Sequence, residues 1–261
     1  MASNVRSPAV AGLFYPLDKQ QLKHEVHHLL ANAIDANCKP KALIVPHAGY
    51  QYSGPVAASA YACLDSIRAV IQRVVLLGPA HRLAVQGLAL PGVEVFDTPL
   101  GSVELDQNLV NKIAHLPQIV ISREAHDLEH SLEVQLPFLQ SVLGKFTLLP
   151  LAVGFTSAEA VADVLARVWG GDETLIIVSS DLSHYLPYSI AQRMDQETMQ
   201  SIIQLQKLVE HDRACGSIAI NGLIVAAQQH HLTPHVLDLR NSGDTAGSHE
   251  RVVGYAAVAF D

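Results

Sequence analysis

The chain has 261 residues, 49% hydrophobic and 16% charged, a composition that excludes disorder and can fill one large core. Its 25 acidic and 17 basic residues leave a formal charge of -8, which excludes a surface built for nucleic acid or anionic lipid and points to a small-molecule or protein partner. Three scattered cysteines, Cys38, Cys63 and Cys215, form neither a disulfide framework nor a CxxC zinc site, so a reducing cytoplasm is expected. The start, Met-Ala-Ser-Asn-Val-Arg, has no apolar leader, and no run reaches the roughly 20 apolar residues of a membrane span.

Taken in order, residues 42–46 form the first strand-like run, and residues 55–65 read as a helix opening at Pro55, whose fixed φ suits a helix start. A second strand falls at 73–78, and 84–104 reads as short β pieces. Residues 129–142 read as a helix, 146–151 as a strand, and 157–169 as a helix capped by Ser157 with Glu159 in its first turn. Two further strands are expected at 174–179 and 252–260. All the strand runs are apolar at nearly every position, which means burial on both faces. No repeat, linker or charge block interrupts the pattern. The expectation is a single α/β domain over 1–261, a three-layer α/β/α sandwich around a mostly parallel or mixed sheet. Right-handed crossovers then place several strand ends on one side.

Two histidines stand where apolar runs stop at Pro/Gly turns: His47 in Val-Pro-His-Ala-Gly-Tyr, and His81 in Leu-Gly-Pro-Ala-His. Ligands of α/β proteins collect beyond the carboxyl ends of strands, so the pair reads as part of a metal site. A third donor would be a carboxylate or a thiolate. Cys215, at the start of an apolar helical stretch where a helix N-terminus would lower its pKa, is one candidate, and Asp244 in Asn-Ser-Gly-Asp-Thr is another. Asp181 and His184 follow the strand at 174–179 and can orient each other for proton transfer, with a helix N-cap by Asp181 as the alternative. No G-x-S-x-G elbow is present. Between Glu124 and Glu133 acids and histidines crowd together; helical spacing puts Glu129 and Glu133 on one solvated face, with His130 beside Glu133 as a candidate contact to the site. His27, His28, His230 and His231 read as surface residues.

Six segments occur in order: Ala11-Gly-Leu-Phe-Tyr-Pro16, Val45-Pro-His-Ala-Gly-Tyr-Gln-Tyr-Ser-Gly54, Leu77-Gly-Pro-Ala-His81, Glu129-His-Ser-Leu-Glu-Val-Gln-Leu-Pro137, Ser179-Ser-Asp-Leu-Ser-His-Tyr185 and Cys215-Gly-Ser-Ile218. Together they resemble the Memo family (AmmeMemoRadiSam system protein B-like) across residues 8–260. The resemblance implies a fold similar to the catalytic subunit of class III extradiol dioxygenases, which are non-haem iron enzymes. It also implies a two-His, one-Cys metal site, carried over to His47, His81 and Cys215, with Asp181 and His184 lining the pocket, His130 nearby, and Asp244 set aside. Iron or copper is the implied cofactor, with zinc as a further option. Prokaryotic members look like partners of an AMMECR1-like protein and a radical-SAM protein.

A thiolate in place of the dioxygenase carboxylate changes the donor chemistry. Three readings therefore stand: a metal-dependent redox enzyme acting on a small molecule, a non-catalytic metal-handling or partner- and peptide-binding protein, and a zinc hydrolase.

Overall fold

The structure is a computed structural model and describes residues 4–34, 38–208 and 211–261. Met1–Ser3, where the N-terminal reading begins, lie outside the described residues. The first part of the chain runs β1 (Val5–Arg6), α1 (Lys19–Ala31), β2 (Ala42–Val45), α2 (Tyr50–Ala62) and β3 (Arg73–Pro79). The expected short β pieces follow as β4 (Leu88–Leu90), β5 (Val95–Thr98) and β6 (Gly101–Glu104). Then come α3 (Gln107–Ile113), β7 (Ile119–Ile121), the single turn α4 (Glu124–Asp127), α5 (Leu136–Leu143), β8 (Thr147–Val153) and α6 (Ala158–Val168). The last part is β9 (Thr174–Ser179), β10 (His184–Leu186), α7 (Tyr188–Ile203), α8 (Ser217–His230), β11 (Pro234–Asn241) and β12 (Val252–Phe260).

Among the described residues, nine strands make one mixed sheet in the order β10-β12-β2-β9-β3-β8-β4-β7, with β11 also paired to β12. Its centre, β2-β9-β3-β8, is parallel, while β12 and β4 join antiparallel at either side. Successive side chains of a strand point to opposite faces. Leu43, Val45, Val74 and Leu76 accordingly pack with residues of α1, α2 and α5. Ala42, Ile44, Val75 and Leu77 pack with residues of α3, α6, α7 and α8. The three-layer α/β/α arrangement and the five apolar strands are thus present as expected, and Ser157 caps α6 through the Ala160 N–H.

Two local expectations fail, and one alternative drops out. The helix expected to open at Pro55 begins at Tyr50, and Pro55 lies inside it; proline removes one donor near the solvent-exposed start around Gln51, where water can take up the freed carbonyl. Residues 129–132 are not helical: a short 3-10 turn spans Glu133–Gln135 and α5 starts only at Leu136, with Pro137 in its first turn. Glu129 and Glu133 therefore share no solvated face, and both are fully buried. Nor does Asp181 cap a helix, since His184 opens strand β10.

Candidate metal centre

Strands β2, β9 and β3 are parallel neighbours in register, with Val45 opposite Ser179 and Val178 opposite Leu77. Their carboxyl ends lie side by side, so the residues just beyond them, His47, Asp181 and His81, enter one space. That space is a cavity of about 720 Å³ whose lining includes His47, His81, His130, Asp181 and His184.

Proton accounting fixes which nitrogen of His47 is free. Ser179 Oγ donates its only proton to the Ser131 carbonyl at 2.6 Å, and accepts from Gln135 Nε2 at 2.7 Å. His47 Nδ1, 2.9 Å from the same oxygen, must then carry the proton, which leaves the Nε2 lone pair open. A similar device holds His81, whose Nδ1 is 3.0 Å from Glu129 Oε1. A carboxylate only accepts, so His81 also presents Nε2 as its free donor atom. Glu129 further takes the backbone N–H groups of His81, His130 and Ser131. Burial pushes its carboxyl up, but the His81 hydrogen bond and these N–H groups outweigh that and hold it at about 2.

His130 stacks on His81 with ring centroids 4.8 Å apart and meets His47 edge-on at 5.3 Å. Its Nδ1 is buried and lies 3.3 Å from Glu129 Oε1 without making a hydrogen bond to it, a costly state unless another group completes the site. Burial, with the neighbouring imidazoles, lowers His47 to about 3 and His130 to about 4. Both rings are neutral at pH 7 and ready to donate lone pairs. One donor atom from each of His47, His81 and His130 lies within 4.8 Å of the other two, so this cluster can bind a metal.

Cys215 sits beside the cluster, with Sγ 3.4 Å from His47 Nε2 and 3.3 Å from the Asp181 N–H. Two donors on one tetrahedral ion, at about 2.0 Å for nitrogen and 2.3 Å for sulfur, stand about 3.5 Å apart. The thiol therefore fits a shared ion with His47. The lowered thiol pKa expected from a helix N-terminus is not found: α8 starts at Ser217, and burial, then the Asp181 carboxylate, push Cys215 up to about 12. A cation bound at the sulfur would reverse that balance.

Asp181 is buried, and burial raises its pKa. Its Oδ1 accepts the His47 N–H at 2.7 Å, and Oδ2 lies 4.0 Å from His47 Nε2. Asp244 is elsewhere: it accepts from the Asn241 N–H and the Tyr188 hydroxyl and does not line the cavity. His27, His28, His230 and His231 are exposed as expected, with His230 stacked on Trp169 at 3.9 Å.

Sequence reasoning missed Ser179, Gln135 and Glu129 as the groups that orient the histidines. A usable signal existed for Glu129: Pro137 belongs in a helix's first turn, which places residues 129–132 in a loop. No helix among the described residues is long and apolar enough to cross a membrane.

A family model described as "Memo-like protein" matches residues 6–259. The chain is similar to a MEMO1 family protein of Aquifex aeolicus, 37% identical over 268 residues that cover 98% of this chain and 99% of that one. A MEMO1 family protein of Methanopyrus kandleri is 35% identical, with 98% of each chain covered. Among solved structures, the uncharacterized protein JW3007 from Escherichia coli K12 superposes with a TM-score of 0.54 at 17% identity, covering 83% of this chain and 98% of that one. At that identity the likeness speaks for the fold alone.

Proposed function

The chain belongs to the Memo family, and from that membership we propose that it is a metal-dependent redox enzyme whose ion, iron or copper, is held by His47, His81 and Cys215. The observation that carries the metal site is the convergence of three imidazoles beyond the ends of parallel strands, two of them, His47 and His81, turned by a buried partner. Cys215 as third donor is supported by its 3.4 Å approach to His47 Nε2 and by the Cys-Gly motif. Imidazole suits both metals, and a thiolate favours copper(I) or iron over the hard oxygen-seeking cations. When bound, such an ion supplies one-electron chemistry and polarises an oxygen of the substrate.

The protein's own groups orient and move protons. Ser179 and Glu129 keep His47 and His81 in the tautomer that faces the cavity. Asp181, raised in pKa by burial, can carry a proton at Oδ2, and neutral His130 can accept one. His184 lines the same cavity and gives a proton route toward solvent. Phe14, 4.9 Å from His130, covers one side of that ring against water.

A second reading places His130 in the role of Cys215, favoured by the three-imidazole cluster; three histidines with an open position suit zinc. Elemental analysis of the untagged full chain, reconstituted anaerobically with iron(II), copper(I) or zinc, separates the two. One ion per chain is expected, lost in His81→Ala, weakened in Cys215→Ser, and retained in His130→Ala with loss of oxygen uptake. No stoichiometric ion overturns the metal site, and an ion lost from His130→Ala but kept by Cys215→Ser gives the site to three imidazoles.

A further inference from the structure

Two arginines at the mouth of the cavity take no part in any of this. Arg82 follows His81 directly, and Arg251 precedes β12; both line the same 720 Å³ space. Most other arginines of this acidic chain are matched to carboxylates, as in Arg6 with Glu133, Arg73 with Asp106 and Arg240 with Asp238. Arg82 and Arg251 have no carboxylate partner among the described residues. Two unmatched guanidiniums facing one cavity, in a chain of net charge -8, form a local field that attracts anions.

The wall beside Arg251 carries a second sign of use. Tyr185 is 62% exposed and has a φ of 59°, the left-handed region that a bulky residue adopts only under strain. Arg251 lies over its ring, 5.2 Å from the centroid, so the strained tyrosine and the cation form one unit. Further apolar lining comes from Phe14, Tyr52 and Tyr255. A concave site of this size, in which Phe14, Tyr52, Tyr185 and Tyr255 stand among polar and charged groups, suits a small flat molecule with a polar edge.

We propose that the cavity takes a small aromatic carboxylate, its anionic group at Arg82 and Arg251, its ring against the aromatic wall, and its opposite edge toward the histidine cluster. Arginine is suited to this because its planar fork binds a carboxylate through two parallel hydrogen bonds. The proposal deepens the reading of the site as a redox centre, but the binding step stands on the arginines and the aromatic wall alone.

The test is equilibrium binding of benzoate, its neutral isostere benzamide, and inorganic phosphate to the full chain, metal-free and zinc-loaded. Benzoate is expected to saturate both forms and to outbind benzamide and phosphate about tenfold, as loss of a charge-assisted pair would cause. Arg251→Gln and Arg82→Gln should each weaken benzoate about three- to tenfold with bound zinc unchanged, and Arg251→Lys should recover only part of the loss. Equal binding of benzoate and benzamide, or of benzoate and phosphate, overturns the proposal. Benzoate binding that needs zinc and ignores both arginine variants also overturns it, because the carboxylate is then on the ion. Arginine-dependent benzoate binding to a chain that retains no metal upholds the proposal while the redox reading falls.

Discussion

Glu129 grips His81 twice: Oε2 accepts its backbone N–H at 2.5 Å and Oε1 lies 3.0 Å from its Nδ1. One buried carboxylate thus sets both the position of the residue and the tautomer of its ring. Glu129→Gln keeps the shape but removes the charge that fixes Nδ1 as the donor. Partners of this kind are worth about 10–100-fold in metal affinity. Chelator competition with zinc should show a loss of that size in Glu129→Gln with unchanged circular dichroism. An unaltered affinity would mean that Glu129 has no part in the site.

In the proposed donor set, the Cys215 sulfur is the feature that differs from a two-His, one-carboxylate triad. Cys215→Asp tests that difference. The variant is expected to bind copper(I) at least about tenfold more weakly while keeping iron(II), because a hard oxygen replaces a soft sulfur. Its metal-free form should also melt below the parent, since the new carboxylate would lie beside buried Asp181, to whose N–H and carbonyl Cys215 now bonds. Copper(I) and iron(II) titrations of parent and variant, read by competition, give the ratio directly; an unchanged ratio would place Cys215 outside the ligand set.

Glu133 performs a structural task only four residues from Glu129. Its carboxylate accepts from Arg6 Nη1 at 2.6 Å, the Ala9 and Val10 N–H groups at 2.7 and 3.0 Å, and the Tyr15 hydroxyl at 2.5 Å. These four donors clamp the N-terminal segment that carries Phe14 to the cavity wall. Removing one partner of a buried pair costs about 3–5 kcal/mol, so Glu133→Gln should lower unfolding free energy in urea by that order. The double variant Arg6→Met with Glu133→Gln should be less destabilised than the sum of the single ones, because no unpaired guanidinium remains. Additive losses would show that the two residues act independently.

The strand-end positions of His47 and His81 were readable because a run of apolar residues broken by Pro or Gly marks where a buried strand stops. The sheet then does the rest, since parallel neighbours bring their ends together whatever the intervening helices contain. Glu129 and Glu133 were misread because acids at four-residue spacing also describe a solvated helix start. Their burial depends on partners 48 and 127 residues away, which periodicity does not register. Cys215 is preferred to Asp244 by motif alone. Its spacing says nothing about His47, and the local rule for thiols near a helix start failed because burial and Asp181 outweigh the helix end. Arg82 and Arg251 carry no signal in the chain, for an exposed arginine in a loop is ordinary until a cavity is seen between two of them.

His126 gives the fold a pH dependence that is separable from the metal site. The ring is buried, with Nε2 2.8 Å from the Ala89 carbonyl. Burial foremost lowers its pKa from 6.5 to about 4. Between those values the unfolded chain binds a proton that the folded one refuses, so unfolding free energy falls as pH drops through this window and is level in this respect below pH 4. From pH 7 to pH 5 the single group accounts for about 2 kcal/mol. Metal-free parent protein should therefore lose about 2 kcal/mol more than His126→Gln over that interval in urea melts, the glutamine amide still reaching the Ala89 carbonyl. His47 and His130, lowered in the same direction, add to the slope in both proteins and cancel from the difference. Equal pH slopes for the two chains would show that His126 takes up a proton as readily folded as unfolded.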